Sequence, residues 1–549
     1  MEENEQGISD NSLHVMFGTQ RATTTNVSEN HILITQIEDR WNDFGYRTKV
    51  AVYMNVAGKL WEGQTYLGFL INNDTGHPDS DRINQLLGET SEFVIAATES
   101  MRFFTMLPSV KFYRDIVQCY GPDEAVRALR AMRDLVVLRE FPSNANWLDL
   151  ATQSEVFLKS FMRMSESFFA FHNAGSILRG LDREESGILS KSLGITFRLP
   201  GRLNDHSLRF HFDHKSALPK RIAVVIGKNG VGKSQALGRI VTSALTGKSS
   251  LIDLETGDRP LINRLLAFAP TNEAKSAFPN DQRRRPRIWY KRFSLNRPAR
   301  RTQNDSIAEI ILRVVRSEEY IRNTTRWEIF LKAIKAIHRW EEIRLPTKQG
   351  NYLPLQTLRS GGEKSSLETF GNIDLRKDPV RLLDGHGYAL SSGEISFLRF
   401  AAHASLYIEN GSLLLMDEPE THLHPNFISQ MVLLLDNLLR QTGSAAIIAT
   451  HSAYFVREVF PAQVTVLRID EEGTVQADQP RLQTFGADVG AISYFVFGED
   501  EPSSLATRVE QHLLERFTNW DELFDRYKDE LSNEVLGTLR EAIESRASK

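Results

Sequence analysis

Gly227-Lys228-Asn229-Gly230-Val231-Gly232-Lys233-Ser234 follows the spacing GxxxxGK[ST], and each residue type there has a job in holding phosphates. Glycines let the backbone turn tightly and aim its N–H groups at phosphate oxygens. Lys233 would set a positive charge against the β and γ phosphates, and the Ser234 hydroxyl would ligate magnesium. The text before the loop, AVVI, is strand-like, and SQALGRIV after it is helix-forming. The start of that helix adds a favourable dipole for an anion. Gly227 through Gln235 is therefore the expected nucleotide-binding set, with ATP and Mg2+ as the ligands.

Two further segments carry charge at the ends of apolar runs. Leu413-Leu414-Leu415-Met416-Asp417-Glu418 reads as a buried strand that stops on two carboxylates, at the sheet edge where α/β proteins bind ligands. Asp417 would hold the magnesium shell with Ser234. Glu418 would orient or deprotonate a water attacking the γ-phosphate. Ala445 to Thr450 is a second apolar strand, followed by His451, which could reach the γ-phosphate and that water. Lys233, Glu418 and His451 are thus the candidate catalytic residues. Phosphoryl transfer needs mainly positioning and charge stabilisation, which these groups supply. His422 and His424 could be read as metal ligands beside the two acids, but one His-x-His pair without further ligands points rather to shaping the loop.

Leu390-Ser391-Ser392-Gly393-Glu394 resembles the LSGGQ signature of ABC ATPases and lies 27 positions before Asp417. A serine hydroxyl and glycine N–H groups at a helix start make an anion site. In ABC ATPases that segment reaches the ATP held by the opposite protomer, so the resemblance implies a homodimer, or an oligomer of dimers, with Ser391 and Gly393 as nucleotide contacts. Leu358 to Glu363 (LRSGGE) has a similar look but lies 59 positions before Asp417, and is read as a loop in a helical lobe.

These sites need elements to position them. Residues 1–45 read as a polar, weakly ordered arm, and 46–190 as strands followed by a helical region of an ATPase head, with a hairpin turn at Asn55 to Gly58. Core strands and the phosphate loop fill 191–250. An inserted lobe with a basic segment occupies 251–388. Signature, acidic strand and His451 fill 389–465, and 466–549 is mostly helical, either capping the chain's own core or docking a partner. The fold class is α/β: an ABC-type P-loop ATPase head with an inserted helical lobe and additional N- and C-terminal elements.

The formal charge is only -4, with 66 basic against 70 acidic residues, so any nucleic-acid surface must be local. The segment Arg283 to Arg301 is the candidate. It holds Arg283, Arg284, Arg285, Arg287, Lys291, Arg292, Arg297, Arg300 and Arg301, with Trp289, Tyr290 and Phe293 interleaved. Such a pattern suits phosphate contact and base stacking, and equally a solvated charge run beside a core strand. Cys119 is the sole cysteine, which excludes an internal disulfide and a cysteine-built zinc site and fits a reducing cytoplasm. No run of about 18 apolar residues occurs, so no membrane span is expected.

The order of phosphate loop, signature, LLLMDEPE and ATHS resembles ABC ATPases over residues 190–465. The run Asp417 to Pro425 (DEPETHLHP) is similar to the branch that includes overcoming-lysogenization-defect nucleases, Rad50-like proteins and bacterial antiphage ATPases. Within it, LLAFAPTN, WYKRFSL and TFGADVGAISYFVFGED resemble the PtuA-type ATPases of the Septu antiphage system, in the form carried by some retrons. That resemblance implies a PtuB-type HNH nuclease partner and, in the retron form, a reverse transcriptase with its RNA–DNA hybrid. The glutamine usual after the phosphate loop is not evident, and Asn272 is the residue that could take its place. The tail after His451 shows no acidic triad for an intrinsic nuclease. The stretch between phosphate loop and signature lacks the sustained heptads of a Rad50-like coiled coil. A self-contained nuclease and a DNA-repair or chromosome-maintenance ATPase are the competing readings.

Overall fold

The computed structural model describes residues 13–19, 27–37, 46–70, 93–98, 100–142, 147–184, 189–216, 218–270, 277–281, 286–295, 306–359, 363–421, 425–497 and 504–547. Six strands come first: β1 His14–Gly18, β2 His31–Gln36, β3 Lys49–Val56, β4 Lys59–Phe69, β5 Val94–Ala96 and β6 Phe103–Met106. They form one sheet in the order β5-β1-β2-β3-β4-β6. β3 alternates buried and half-buried positions along its whole length, the mark of a strand with one face on a core. The β3–β4 turn is Ala57-Gly58, with φ of 52° and 74°. Two positive φ values in a row match the twist of a two-residue hairpin.

The segment read as a polar arm thus contributes two strands, β1 and β2. Their buried Phe17, Ile32 and Ile34 join a core with Val52, Phe104 and Phe161. Helices between Val110 and Leu178 pack on the same core. β1 to β6 therefore form a sheet of their own, with these helices packed on it, separate from the sheet that carries the phosphate loop. Apolar runs of only three or four residues, flanked by polar text, were too short to stand out.

The second sheet is the one that matters chemically. Its strands are β9 Ile222–Gly227, β11 Arg264–Ala269, β12 Trp289–Ser294, β19 Leu413–Asp417, β20 Ala445–Thr450, β21 Val464–Ile469 and β22 Val475–Asp478, in the order β12-β11-β19-β20-β9-β21-β22. Every neighbouring pair is parallel except β21 with β22. β9, β19 and β20 are buried at every position. That explains their continuous apolar text, because a central parallel strand is covered on both faces. The inserted region therefore begins after β12, not at 251, and β21–β22 belong to the head rather than to the tail.

A three-stranded antiparallel sheet, β10-β7-β8, flanks the head: β7 Ser192–Phe197, β8 His206–His211 and β10 Leu251–Asp253. The insertion carries helices Ile307–Arg316 and Arg326–Ile334, the short pair β13 Tyr320–Ile321 and β14 Thr324–Thr325, and a four-stranded antiparallel sheet. That sheet is β15 Ile343–Pro346, β16 Tyr352–Pro354, β17 Val380–Leu383 and β18 His386–Ala389, ordered β16-β15-β17-β18. The lobe is thus mixed, not purely helical. Residues 486–549 form a separate compact unit, whose helices pack Leu513, Phe517, Leu523, Leu536, Leu539 and Ile543 into a core of their own.

A buried ionic network ties distant stretches of the larger unit together. Glu409 receives both ends of the Arg114 guanidinium, at 2.7 and 3.1 Å, and Arg326 at 3.5 Å. Glu184 accepts from Arg114 Nε at 2.8 Å and from the Asn410 amide at 2.6 Å. Arg114 belongs to helix Val110–Tyr120 and Arg326 opens helix Arg326–Ile334. Glu409 lies four residues before β19. Isolated charges at this depth would be costly, and mutual pairing makes their burial tolerable.

Candidate functional site

The site stands at the C-terminal ends of β9, β19 and β20, where three adjacent parallel strands deliver their last residues side by side. The register sets Asp417 opposite Ala449 and Thr450 opposite Ile226. β9 runs into the loop Lys228–Gly232, and the helix Lys233–Thr246 follows. Gly232 has φ of 102°, a conformation that costs little only for glycine. A Cβ on Gly227 would run into the Leu467 carbonyl of β21, so the first glycine is demanded by the neighbouring strand. Lys228, Asn229 and Gly230 are exposed, as is Gln235, while Val231 is buried and Ser234 half-buried. The loop is braced from the flanking sheet: Arg202 donates to Gly230 O at 3.0 Å, and the His206 ring lies 3.2 Å from Val231 O.

Lys233 is 4% exposed. Its ammonium donates to Gly227 O at 2.9 Å, Lys228 O at 3.0 Å and His451 Nδ1 at 3.1 Å. Burial pulls its pKa down to about 8, against the opposing pull of Glu418, Glu420 and Asp417. His451 Nε2 lies 2.7 Å from Glu418 Oε1. With Nδ1 accepting from Lys233, the ring proton sits on Nε2 and donates to Glu418. One neutral tautomer thus satisfies both contacts and makes a continuous chain from Lys233 through His451 to Glu418.

Glu418 has φ of 43°, the left-handed region that a side-chain-bearing residue enters at a cost of order 1–3 kcal/mol. Three hydrogen bonds hold it there: its N–H donates to Ala449 O at 2.8 Å, and its carbonyl accepts from Thr421 N at 3.1 Å and Thr421 Oγ1 at 2.9 Å. The bend turns the chain sharply off β19 and brings the carboxylate to His451. Its side chain keeps 36% exposure, so water can reach it.

Asp417 is 8% exposed. Burial raises its pKa to about 6, with the Ser234 hydroxyl bond opposing and the charges of Glu418 and Glu420 adding to the rise. Asp417 Oδ1 is buried without a hydrogen-bond partner. A hydroxyl against a carboxylate with an oxygen still to be satisfied is a donor set that fits a hard divalent cation. Among the described residues no group of three or more His, Cys, Asp or Glu side chains is placed to hold a metal.

Glu420 is a residue that sequence reasoning did not single out. Its Oε1 accepts from the His451 backbone N–H at 2.7 Å and from Thr450 Oγ1 at 2.6 Å. It therefore fixes the turn on which His451 stands. The signal was present as the third acid of Asp417-Glu418-Pro419-Glu420, but only the fold shows which partner it serves.

The signature-like segment opens the helix Ser392–Tyr407, with Ser391 as N-cap. Ser391 N–H donates to Glu394 Oε2 at 2.8 Å and its hydroxyl accepts from Glu394 N–H at 3.3 Å, a reciprocal capping box. Arg381 pairs with Glu394 from β17. Ser391 and Ser392 are exposed and Gly393 is buried, so the two hydroxyl-bearing residues face solvent in the single chain.

Of the other sequence candidates, Asn272, His422, His424, Ser360 to Gly362, Arg283 to Arg285 and Arg297 to Arg301 lie outside the described residues. The described part of the basic segment is Arg287 with its neighbours and β12, an edge strand. Its Tyr290 is buried, with its hydroxyl donating to Pro279 O at 2.8 Å. Phe293 stacks on Phe268 at 5.1 Å, and Lys291 donates to the Tyr407 hydroxyl oxygen at 2.9 Å. These aromatics are packing groups of the sheet rather than stacking platforms for bases.

Residues 222–457, less than half of the chain, match the family described as "AAA domain, putative AbiEii toxin, Type IV TA system". The match starts at the first residue of β9 and ends with the helix Ala453–Arg457, so it brackets the phosphate loop, acidic strand and His451. Protein ea59 of Escherichia phage lambda is 22% identical over 481 residues, which cover 84% of this chain and 85% of that protein. Among solved structures, UvrA2 from Deinococcus radiodurans is 16% identical, covering 61% of this chain and 43% of that one, with a TM-score of 0.28. The cbiO1 protein from Clostridium perfringens, part of the ABC transporter complex cbiONQ, is 16% identical and covers 61% of this chain and 98% of that one, with a TM-score of 0.27.

Proposed function

We propose that this chain, which carries an ABC-type ATPase-like P-loop domain, binds ATP with Mg2+ and hydrolyses it between two copies of itself, as the ATPase of an antiphage complex. The observation that carries the hydrolytic reading is the chain Lys233, His451, Glu418 standing over the phosphate loop. The loop N–H groups and Lys233 hold the β and γ phosphates. Ser234 and Asp417 would hold a magnesium ion, which would supply positive charge against the phosphoryl oxygens. Glu418, oriented by the His451 Nε2–H, takes the proton of the attacking water. Exposed Ser391 and Ser392 then face the nucleotide of the partner protomer, so that ATP occupancy joins the two copies and hydrolysis releases them.

The output is conformational. The resemblance of the Asp417 to Pro425 run and of the C-terminal text to PtuA-type ATPases supports a partner HNH nuclease that does the cutting, held in check in the retron form by a reverse transcriptase with its RNA–DNA hybrid. Among the described residues no helix is long and apolar enough to cross a membrane.

Two substitutions test the enzymatic core. Glu418→Gln should keep ATP binding, lower kcat by about 10²–10⁴-fold and trap an ATP-loaded dimer visible by light scattering. Lys233→Ala should abolish ATP binding. Hydrolysis at the normal rate by Glu418→Gln refutes the assignment. Affinity capture from the native host, with mass spectrometry and nucleic-acid sequencing, tests the partners. Recovery of an HNH nuclease supports the defence reading, and recovery of the chain alone or with repair proteins overturns it.

A further inference from the structure

The helix that begins at the phosphate loop ends at a second cavity. Lys233–Thr246 has 14 residues, so this end lies about 21 Å from the loop at 1.5 Å per residue. The cavity measures ≈ 270 Å³. Its walls are the last turn of that helix, β10 with the turn after it as far as Ile262, Ser165, and Arg287 with Ile288 just before β12.

Charge is unbalanced there. The Arg259 guanidinium points its Nη groups at four neutral oxygens: Met162 O at 3.0 Å, Arg163 O at 3.1 Å, Ser165 Oγ at 2.5 Å and Arg287 O at 3.4 Å. No carboxylate pairs with it among the described residues. Burial, then the positive charge of Arg287, lower its pKa to about 10. Arg287 lies across Gly247 at the end of the helix, and Lys248 is exposed at the rim. Asp258 is the one acidic residue in the lining. The helix end adds about half a negative charge. Three cations against these leave the cavity clearly positive. A half-buried guanidinium without a counter-charge is held at a cost that a nearby anion would offset; with its Nη hydrogens already taken, the donors left for a phosphate are its Nε–H and the Arg287 and Lys248 head groups.

The lining also carries apolar side chains, those of Ala244, Leu251, Ile252, Pro260 and Ile288. A cavity of this size, just below the usual range for small-molecule sites, takes a charged head and a small body. We propose that it binds a small phosphomonoester, head against Arg259 and Arg287 and body against the apolar side chains, at a site separate from the phosphate loop.

The test uses the full chain carrying Lys233→Ala, so that the phosphate loop is silent, with adenosine monophosphate as the probe in calorimetric titration. One molecule should bind per chain with Kd of about 1 mM or tighter, with inorganic phosphate competing. Adding Arg287→Gln should weaken binding by about tenfold or more. Adding Ala244→Leu, which fills the cavity and keeps every charge, should do the same, and it decides the matter if Arg287→Gln does not fold. Absence of saturable binding overturns the proposal, and so does binding that is equally tight in folded cavity variants. Because Lys233→Ala is present throughout, this result is independent of the ATPase reading.

Discussion

Glu409→Gln should destabilise the larger unit by about 3 kcal/mol. The carboxylate is buried, yet its pKa falls from 4.5 to about 2, because the pull of Arg114 and Arg326 exceeds the penalty of burial. At about 1.4 kcal/mol per pH unit, that fall corresponds to about 3 kcal/mol at neutral pH. Removing one partner of a buried ion pair costs 3–5 kcal/mol by a separate route, roughly the same size. The folded pKa is depressed, so the contribution is fully present above pH 4.5 and is lost as pH falls through 2. Glutamine keeps the shape but not the charge, leaving Arg114 and Arg326 to share Glu184 and the half-exposed Glu319. Differential scanning calorimetry at pH 7 should show the main transition lowered by roughly 3 °C, since a unit of this size unfolds with about 1 kcal/mol/K of entropy. Glu319→Gln is the control: its side chain is 39% exposed, and an ion pair at such a position is worth under about 1 kcal/mol. If Glu409→Gln shifts the transition no more than Glu319→Gln, the network is not holding these segments together and the reasoning fails.

Two further outcomes follow from the site. Glu420→Ala removes the acceptor for the His451 N–H and the Thr450 hydroxyl, so kcat should fall about tenfold or more while ATP affinity changes little; an equal rise in KM with unchanged kcat would show that Glu420 serves binding instead. The Lys233 ammonium, at about 8, must be charged to meet phosphate. ATP affinity should therefore be constant below pH 8 and weaken about tenfold per pH unit above it, and a flat equilibrium-binding profile to pH 9.5 would refute that role.

The chemistry of phosphate binding is legible in sequence because it is local. Gly227 to Ser234 must be contiguous for one turn of backbone to wrap one group of oxygens, and a strand buried on both faces announces itself as unbroken apolar text, as at β9, β19 and β20. The identity and order of these segments were enough to specify an α/β P-loop head. What the sequence did not give is whatever depends on residues far apart in the chain. Glu420 could be assigned to His451 only once β19 and β20 lay side by side. The left-handed bend at Glu418 depends on the Ala449 carbonyl of a different strand. β1 and β2 were hidden because short apolar runs gain their meaning from the strands beside them, and the arginines and glutamates at 114, 184, 326 and 409 look like ordinary surface charges until packing removes the water. The aromatics of β12 had two readings, and the burial of Tyr290 and Phe293 chose packing over base stacking for those two. Local order fixed which groups are present; the long-range pairing of strands and the exclusion of solvent decided what each one touches, and hence its charge state and its role.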